Sequence, residues 1–241
     1  MKLAKKQTLW VFFGFLFIYQ GIQIIIPTVY GFFYGLKLMT GGEEVDIFLL
    51  EEEMIARMLE ISPISMFISA VVILFIYYIV LKRHLISSFF DFIKTKSLVL
   101  LGVFGFAGIL VVNVVVNIIY TWLGIEGNSI NQDYVGDMVT NSPWLMLIAV
   151  AFLVPIIEEL FFRKVLIDFF SRWGDVLAVV VSSVLFALPH VMQGDFVFLP
   201  VYSLMGAGLG YIYVKGNRNI FVTIAAHILN NLFSVLIMLL L

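Results

Sequence analysis

Pro143-Trp144-Leu145-Met146-Leu147-Ile148-Ala149-Val150-Ala151-Phe152-Leu153-Val154-Pro155-Ile156-Ile157-Glu158-Glu159-Leu160-Phe161-Phe162-Arg163 decides the fold class of this chain. A membrane-spanning helix needs about 20 mostly apolar residues, and the run from Pro143 to Phe162 supplies them. Yet its end carries two adjacent carboxylates and a guanidinium. An ionisable group at bilayer depth costs roughly 2.5–3.5 kcal/mol on insertion scales, so such groups are kept where they act. Glu159 and Arg163 are i, i+4 and share one helix face, where they can pair. Glu158 is turned about 100° from Glu159, which leaves it free for another partner.

Further apolar runs flank this one: Leu9–Leu36, Ile61–Leu81, Ser97–Leu123, Val176–Met192, Phe196–Val214 and Ile220–Leu241. They predict an all-α, polytopic membrane helix bundle with about seven transmembrane helices. The fifth span is short, and the first is long enough to tilt or to end in a separate turn near Pro27. Composition agrees: of 241 residues, 62% are hydrophobic and 12% charged, against about 45–50% and about 25% in soluble domains. The absence of cysteine excludes disulfides, thiolate catalysis and Cys-ligated metal sites. With a net charge of −2 and no long basic stretch, the chain has no nucleic-acid partner. The basic start Met1–Lys6 before Leu9–Ile26 reads as a retained signal-anchor helix.

In a seven-span arrangement every Lys and Arg except Lys37 and Arg57 falls on one side. The positive-inside rule then puts the N-terminus in the cytoplasm and the C-terminus outside. The acidic stretch Glu43–Glu60 reads as a solvated amphipathic segment on the outer face, with Met54, Ile55, Met58 and Leu59 touching the membrane surface. The outer segment Gly124–Ser142 reads as a loop. Gly31 and Gly35, Gly206 and Gly210, and Gly102, Gly105 and Gly108 read as helix-packing positions. Asn113 and Asn117, one turn apart in the third span, either bond across to a neighbouring helix or line a polar path.

Two of the three histidines lie in later spans, at Phe186-Ala187-Leu188-Pro189-His190 and His227-Ile228-Leu229-Asn230-Asn231; His84 reads as a loop residue. Pro189 lacks an N–H and loosens the helix before His190. His227 and Asn231 share a face and could donate to the oxygen of a carbonyl that is gaining charge. A carboxylate and two imidazoles held away from bulk water are suited to activating water. Zinc ligated by Glu158, His190 and His227 fits that chemistry, and a metal-free glutamate–histidine pair fits equally. Depth is the weak point: His190 falls deeper than Glu158 and His227 unless the fifth span starts late or bends at Pro189. The match of Glu158 with His227 also requires that Arg163–Arg172 continue as helix.

At these residues the sequence resembles the CPBP family, also called Abi: CAAX proteases and bacteriocin-processing enzymes, marked by EExxxR, FxxxH and HxxxN motifs on successive membrane helices. Here these are Glu158-Glu159 with Arg163, Phe186 with His190, and His227 with Asn231. The resemblance divides one integrated membrane domain into N-terminal helices with an acidic outer loop (1–142) and a catalytic helix core (143–241). It implies an intramembrane endopeptidase, called a metalloprotease in many family names, acting on a membrane-bound or amphipathic peptide in the lipid bilayer of a prokaryotic cell. In it Glu158 with His190 activates water and His227 with Asn231 forms the oxyanion site. Glu159, Arg163 and Phe186 position substrate or support the site, and a divalent metal such as zinc is a possible cofactor. The competing readings are a non-catalytic immunity or regulatory protein that binds a peptide or partner, and, last, a proton-coupled transporter.

Overall fold

The computed structural model describes residues 3–40 and 47–240. The start of the signal-anchor reading (Met1 and Lys2), Glu43, Glu44 and Asp46 of the acidic stretch, and Leu241 of the last span lie outside the described residues. All regular structure among the described residues is helical: α1 Lys5–Thr40, α2 Ile47–Lys94, α3 Lys96–Trp122, α4 Ile130–Asn141, α5 Pro143–Trp173, α6 Asp175–His190, α7 Phe196–Lys215 and α8 Ile220–Leu240. Six of them are long and apolar enough to cross a membrane; α6 is the short one, as its sequence indicated.

Several sequence-based boundaries are corrected. α1 runs straight through Pro27, and α2 runs through Pro63; membrane helices tolerate such breaks because neighbouring helices and polar side chains re-satisfy the freed carbonyls. No separate turn forms at Pro27. The second helix extends far beyond Ile61–Leu81, so His84 sits on helix rather than in a loop. The acidic residues from Glu51 onward belong to that helix as well, and its inner face is not at the membrane surface: Met54 and Met58 pack over Gly35 and Gly31. Ile55 and Leu59 are exposed, as expected. Gly124–Ser142 is not all loop. It holds α4, which starts at Ser129, whose hydroxyl accepts from the Gln132 backbone N–H. Polar composition hid this helix, although Ser-x-x-Gln is a capping signature.

Close backbone approach sets the packing. A Cβ at Gly206 would stand 3.0 Å from Ser183 Cα, and one at Gly210 would stand 2.9 Å from Val179 Cγ1. The bare face of α7 therefore holds α6 in contact. A Cβ at Gly102 on α3 would meet the Val222 carbonyl of α8 at 3.1 Å. Gly108 has open space around it and packs nothing. The Tyr77 hydroxyl donates to the Val11 carbonyl at 2.7 Å, tying α2 to α1. Phe15 of α1 stacks on Phe161 of α5 with ring centroids 4.1 Å apart.

At one end of the bundle a polar knot sets the relative heights of α5, α6 and α8. Arg218, in the left-handed region at φ 58°, donates to Asp168 at 3.0 Å and to Asp175 at 2.6 Å. Asp168 also accepts from the Tyr213 hydroxyl at 3.2 Å. The left-handed backbone costs about 1–2 kcal/mol, which the three charge-assisted and neutral bonds of this knot offset. Asn219 donates to the Ser88 carbonyl at 2.9 Å and carries the start of α8 inward against α2.

Candidate active site

From that knot α5 and α8 rise side by side into the bundle, and their polar residues meet. α5 is continuous through Arg163–Trp173, as the depth argument required, but Glu159–Ile167 is wound as π-helix. Such wide turns are found mostly where a helix must re-aim side chains. Arg163 Nε lies 3.2 Å from Glu159 Oε2, and His227 Nδ1 lies 2.9 Å from Glu159 Oε1. Glu159 and Arg163 have no exposed side-chain surface, and His227 only 2%. One carboxylate thus ties the first and third motifs together.

Phe186 closes the cluster. The Arg163 guanidinium sits 4.6 Å from the Phe186 ring centroid, and the His227 ring meets Phe186 edge-on at 5.8 Å. The two terminal guanidinium nitrogens of Arg163 have no hydrogen-bond partner among the described residues; the π face of Phe186 is the contact they make instead. Removing one member of a buried ion pair typically costs 3–5 kcal/mol, so this unit has to stay whole.

Glu158 points elsewhere, as the 100° offset demands. Its side chain keeps 13% exposure, with Oε2 3.7 Å from His227 Nε2. A carboxylate can only accept, so the Nδ1–H of His227 donates to Glu159. Nε2 is therefore the ring nitrogen presented towards Glu158. The gap of 3.7 Å exceeds a direct hydrogen bond.

His190 ends the 3₁₀ turn Leu188–His190, where Pro189 stops the α-helix of α6 at Ala187. Its Nδ1 lies 2.9 Å from the Phe186 carbonyl. A carbonyl accepts only, so Nδ1 carries the hydrogen and Nε2 has no hydrogen-bond partner among the described residues. The ring lies between Phe186 and Tyr202, stacked on the latter at 4.6 Å. The Tyr202 hydroxyl in turn bonds Ser129 Oγ at 2.6 Å. The depth conflict resolves here: Phe186 is level with His227, and His190 lies one turn beyond, at the same cavity.

That cavity has a volume of about 440 Å³, and Glu158, His190, His227 and Asn231 all line it. Glu159, Arg163 and Phe186 stand behind its wall. Asn231 is more committed than its sequence position suggested: its Nδ2 donates to the Val150 carbonyl at 3.0 Å, leaving one amide hydrogen. Asn113 and Asn117 line the cavity, and their side chains make no hydrogen bond among the described residues, so the polar-path reading holds for them. Sequence reasoning missed Tyr202 and Asn230, both on the wall. Asn230 was signalled by a second asparagine beside Asn231 in an apolar helix; Tyr202 had no signal. Among the described residues no group of three or more His, Asp or Glu is arranged to hold a metal ion. Glu158, His190 and His227, the zinc ligands suggested by the sequence, line one cavity, and the bond from Nδ1 to Glu159 leaves His227 Nε2 facing it.

Residues 140–233 match the family model described as type II CAAX prenyl endopeptidase Rce1-like. The chain is similar to "Putative membrane peptidase YdiL" of Bacillus subtilis (strain 168), 28% identical over 236 residues, which is 98% of this chain and 90% of that protein. It is also similar to "Membrane-embedded CAAX protease MroQ" of Staphylococcus aureus (strain USA300), 33% identical over 162 residues, 60% of each chain. No solved structure matches significantly. This multi-pass membrane protein is thus similar over its motif-bearing helices to the type II CAAX endopeptidase family model, and along nearly its whole length to a bacillary relative.

Proposed function

We propose that the protein is an intramembrane endopeptidase that cuts a membrane-associated peptide or protein, with Glu158 as the base. The observation that carries this reading is that Glu158 is the only carboxylate on the cavity wall among the described residues and stands beside His227 Nε2 and within the same cavity as His190. Glu158 takes a proton from a water oriented by the free Nε2 of His190. The hydroxide attacks the scissile carbonyl carbon. His227 and the second amide hydrogen of Asn231 form the oxyanion site. Collapse breaks the C–N bond, and Glu158 returns the proton to the leaving amine. Glu159 holds His227 in this orientation, and Arg163 with Phe186 holds Glu159. Residues 143–241 form the catalytic core, and 1–142 frame it. The one-sided Lys and Arg distribution supports a cytoplasmic N-terminus.

The test needs no known substrate. Wild type and Glu158→Gln are expressed at equal levels, and peptide termini in membrane and medium are compared by mass spectrometry. Cleavages seen only with wild type are the expected result. Identical profiles with both proteins inserted would overturn the protease reading in favour of a peptide-binding immunity or regulatory protein. Repeating the assay after exhaustive chelation tests the metal-free form of the mechanism: activity lost on chelation and restored by zinc would replace it with a metal-assisted one.

A further inference from the structure

The far end of the α1–α2 hairpin has a polar side and an apolar side, and the apolar side is open. Gly31 and Gly35 on α1 face Met58 and Met54 on α2. A helix turns about 100° per residue. In an antiparallel pair, the positions one step before the contact residues on both helices therefore flank the same side. Tyr34 and Glu53 are such positions, and the Tyr34 hydroxyl donates to Glu53 Oε2 at 3.0 Å. Arg57, also one step before, lies 4.9 Å from the Tyr34 ring centroid and pairs with Glu60 at 2.7 Å. That side is polar and internally paired. The positions one step after the contacts are Phe32 and Leu36 on α1, and Ile55 and Leu59 on α2. They make up the opposite side, and all four are 41–54% exposed.

Exposed apolar side chains are ordinary where lipid surrounds a helix, but this end stands clear of the hydrocarbon. At 1.5 Å per residue the 36 residues of α1 run about 54 Å, against a hydrocarbon core of about 30 Å. Glu51, Glu52 and Glu53 are exposed on α2, which hydrocarbon would penalise. Glu53 is level with Tyr34 through their hydrogen bond, so the segment Phe32–Leu36 stands in water. Contiguous apolar surface in water is the mark of an interaction site.

Charge selects the occupant. Lys37 and Arg57 are the only cations from Val29 to Glu60, and Arg57 is paired with Glu60. Glu51 and Glu52 form no ion pair among the described residues. They lie four and three residues before Ile55, so both edge the apolar side. A second copy would set this acidic end against its like, and lipid phosphates carry the same sign. A helix with one apolar stripe and Lys or Arg beside it matches both features at once.

We propose that the face made by Phe32, Leu36, Ile55 and Leu59 docks a basic amphipathic helix of a partner protein, with its apolar stripe on these four residues and its cations on Glu51 and Glu52. None of these residues lines the cavity of Glu158, and the proposal is independent of the protease reading.

The test titrates full-length protein in nanodiscs of zwitterionic lipid with a fluorescent synthetic helix that carries Leu on one stripe and Lys beside it. Its Glu-for-Lys counterpart and a scrambled Lys peptide are run alongside, and empty nanodiscs give the lipid background. Only the Lys helix is expected to bind above that background. Phe32→Ser with Leu36→Ser should weaken it by about 10-fold or more, while Tyr30→Ser, on the polar side, should change nothing. Glu51→Lys with Glu52→Lys should lose the Lys helix and gain the Glu helix, an exchange that misfolding would not produce. Because the chain has no cysteine, Leu59→Cys gives a single reporter of what covers the face without peptide. Crosslinking of that cysteine between copies, or quenching of a probe on it by nitroxide lipid, would assign the face to a second copy or to the bilayer and overturn the proposal. So would equal binding of the three peptides, no binding of the Lys helix above empty nanodiscs, or an unchanged preference after the charge reversal.

Discussion

His227 Nδ1 lies 2.9 Å from Glu159 Oε1, across helices that are 68 residues apart in sequence. The same glutamate holds Arg163 on its own helix. Glu159 therefore joins the two helices, while Glu158 faces the cavity. Adjacent identical residues have acquired different duties because a helix turns them to different faces.

Glu158→Gln should lower cleavage by about 10²- to 10⁴-fold, the range for losing a general base. The carboxamide keeps the shape of the side chain, so thermal unfolding in detergent should be nearly unchanged. A variant with wild-type turnover would remove Glu158 from the mechanism.

Glu159→Gln should act through stability first. It strands Arg163 with its terminal nitrogens already unpaired, at a cost of about 3–5 kcal/mol, and releases His227. The double change Glu159→Leu with Arg163→Met should recover much of the lost stability, because paired buried charges can be exchanged for apolar packing. It should not recover activity, since His227 would still lack its anchor. Unfolding midpoints and cleavage rates measured on the same preparations separate the two effects. Activity returning along with stability would reduce Glu159 to a packing role.

Tyr202 offers a graded test of His190. Tyr202→Phe keeps the ring stacked on His190 and loses the hydroxyl's bond to Ser129, worth about 0.5–1.5 kcal/mol. Tyr202→Ala removes the stack and lets the imidazole leave its place at the cavity. The alanine variant should lose far more of kcat than the phenylalanine variant, with KM moving less. Equal losses would mean that the hydroxyl, not the ring, is what matters.

Gly206→Ala probes the scaffold from a distance. The new methyl would stand 3.0 Å from Ser183 Cα, which is backbone and cannot swing aside. Overpacking of this kind typically costs 1–3 kcal/mol. α6 should be pushed outward, carrying Phe186 and His190 with it. Activity should fall more than the stability loss alone accounts for. Gly108→Ala on α3, where no atom lies within reach, is the control that should change neither.

Local chemistry was enough to reveal the membrane class, the apolar helices and the three motif-bearing segments. Hydrophobic runs report their own transfer free energy, and i, i+4 spacing places Glu159 beside Arg163 whatever surrounds them. Helix ends were less legible. α2 extends through the charged Glu51–Glu60 region because Met54 and Met58 find Gly35 and Gly31 on α1, a tertiary reward that no local pattern announces. α4 was hidden because its residues are polar.

The relation between motifs was decided only by the tertiary structure. Nothing in the spacing of Glu159, Phe186 and His227 says that one carboxylate serves both Arg163 and His227, or that Phe186 covers the guanidinium. The heights of α5, α6 and α8 are set by Arg218 meeting Asp168 and Asp175, far from the cavity. Sequence determines which groups a helix face presents; the depth at which two faces meet depends on every contact that positions their helices. For that reason the motif residues could be named from the sequence alone, while their hydrogen-bond partners, and the places of Tyr202 and Asn230 on the cavity wall, could not.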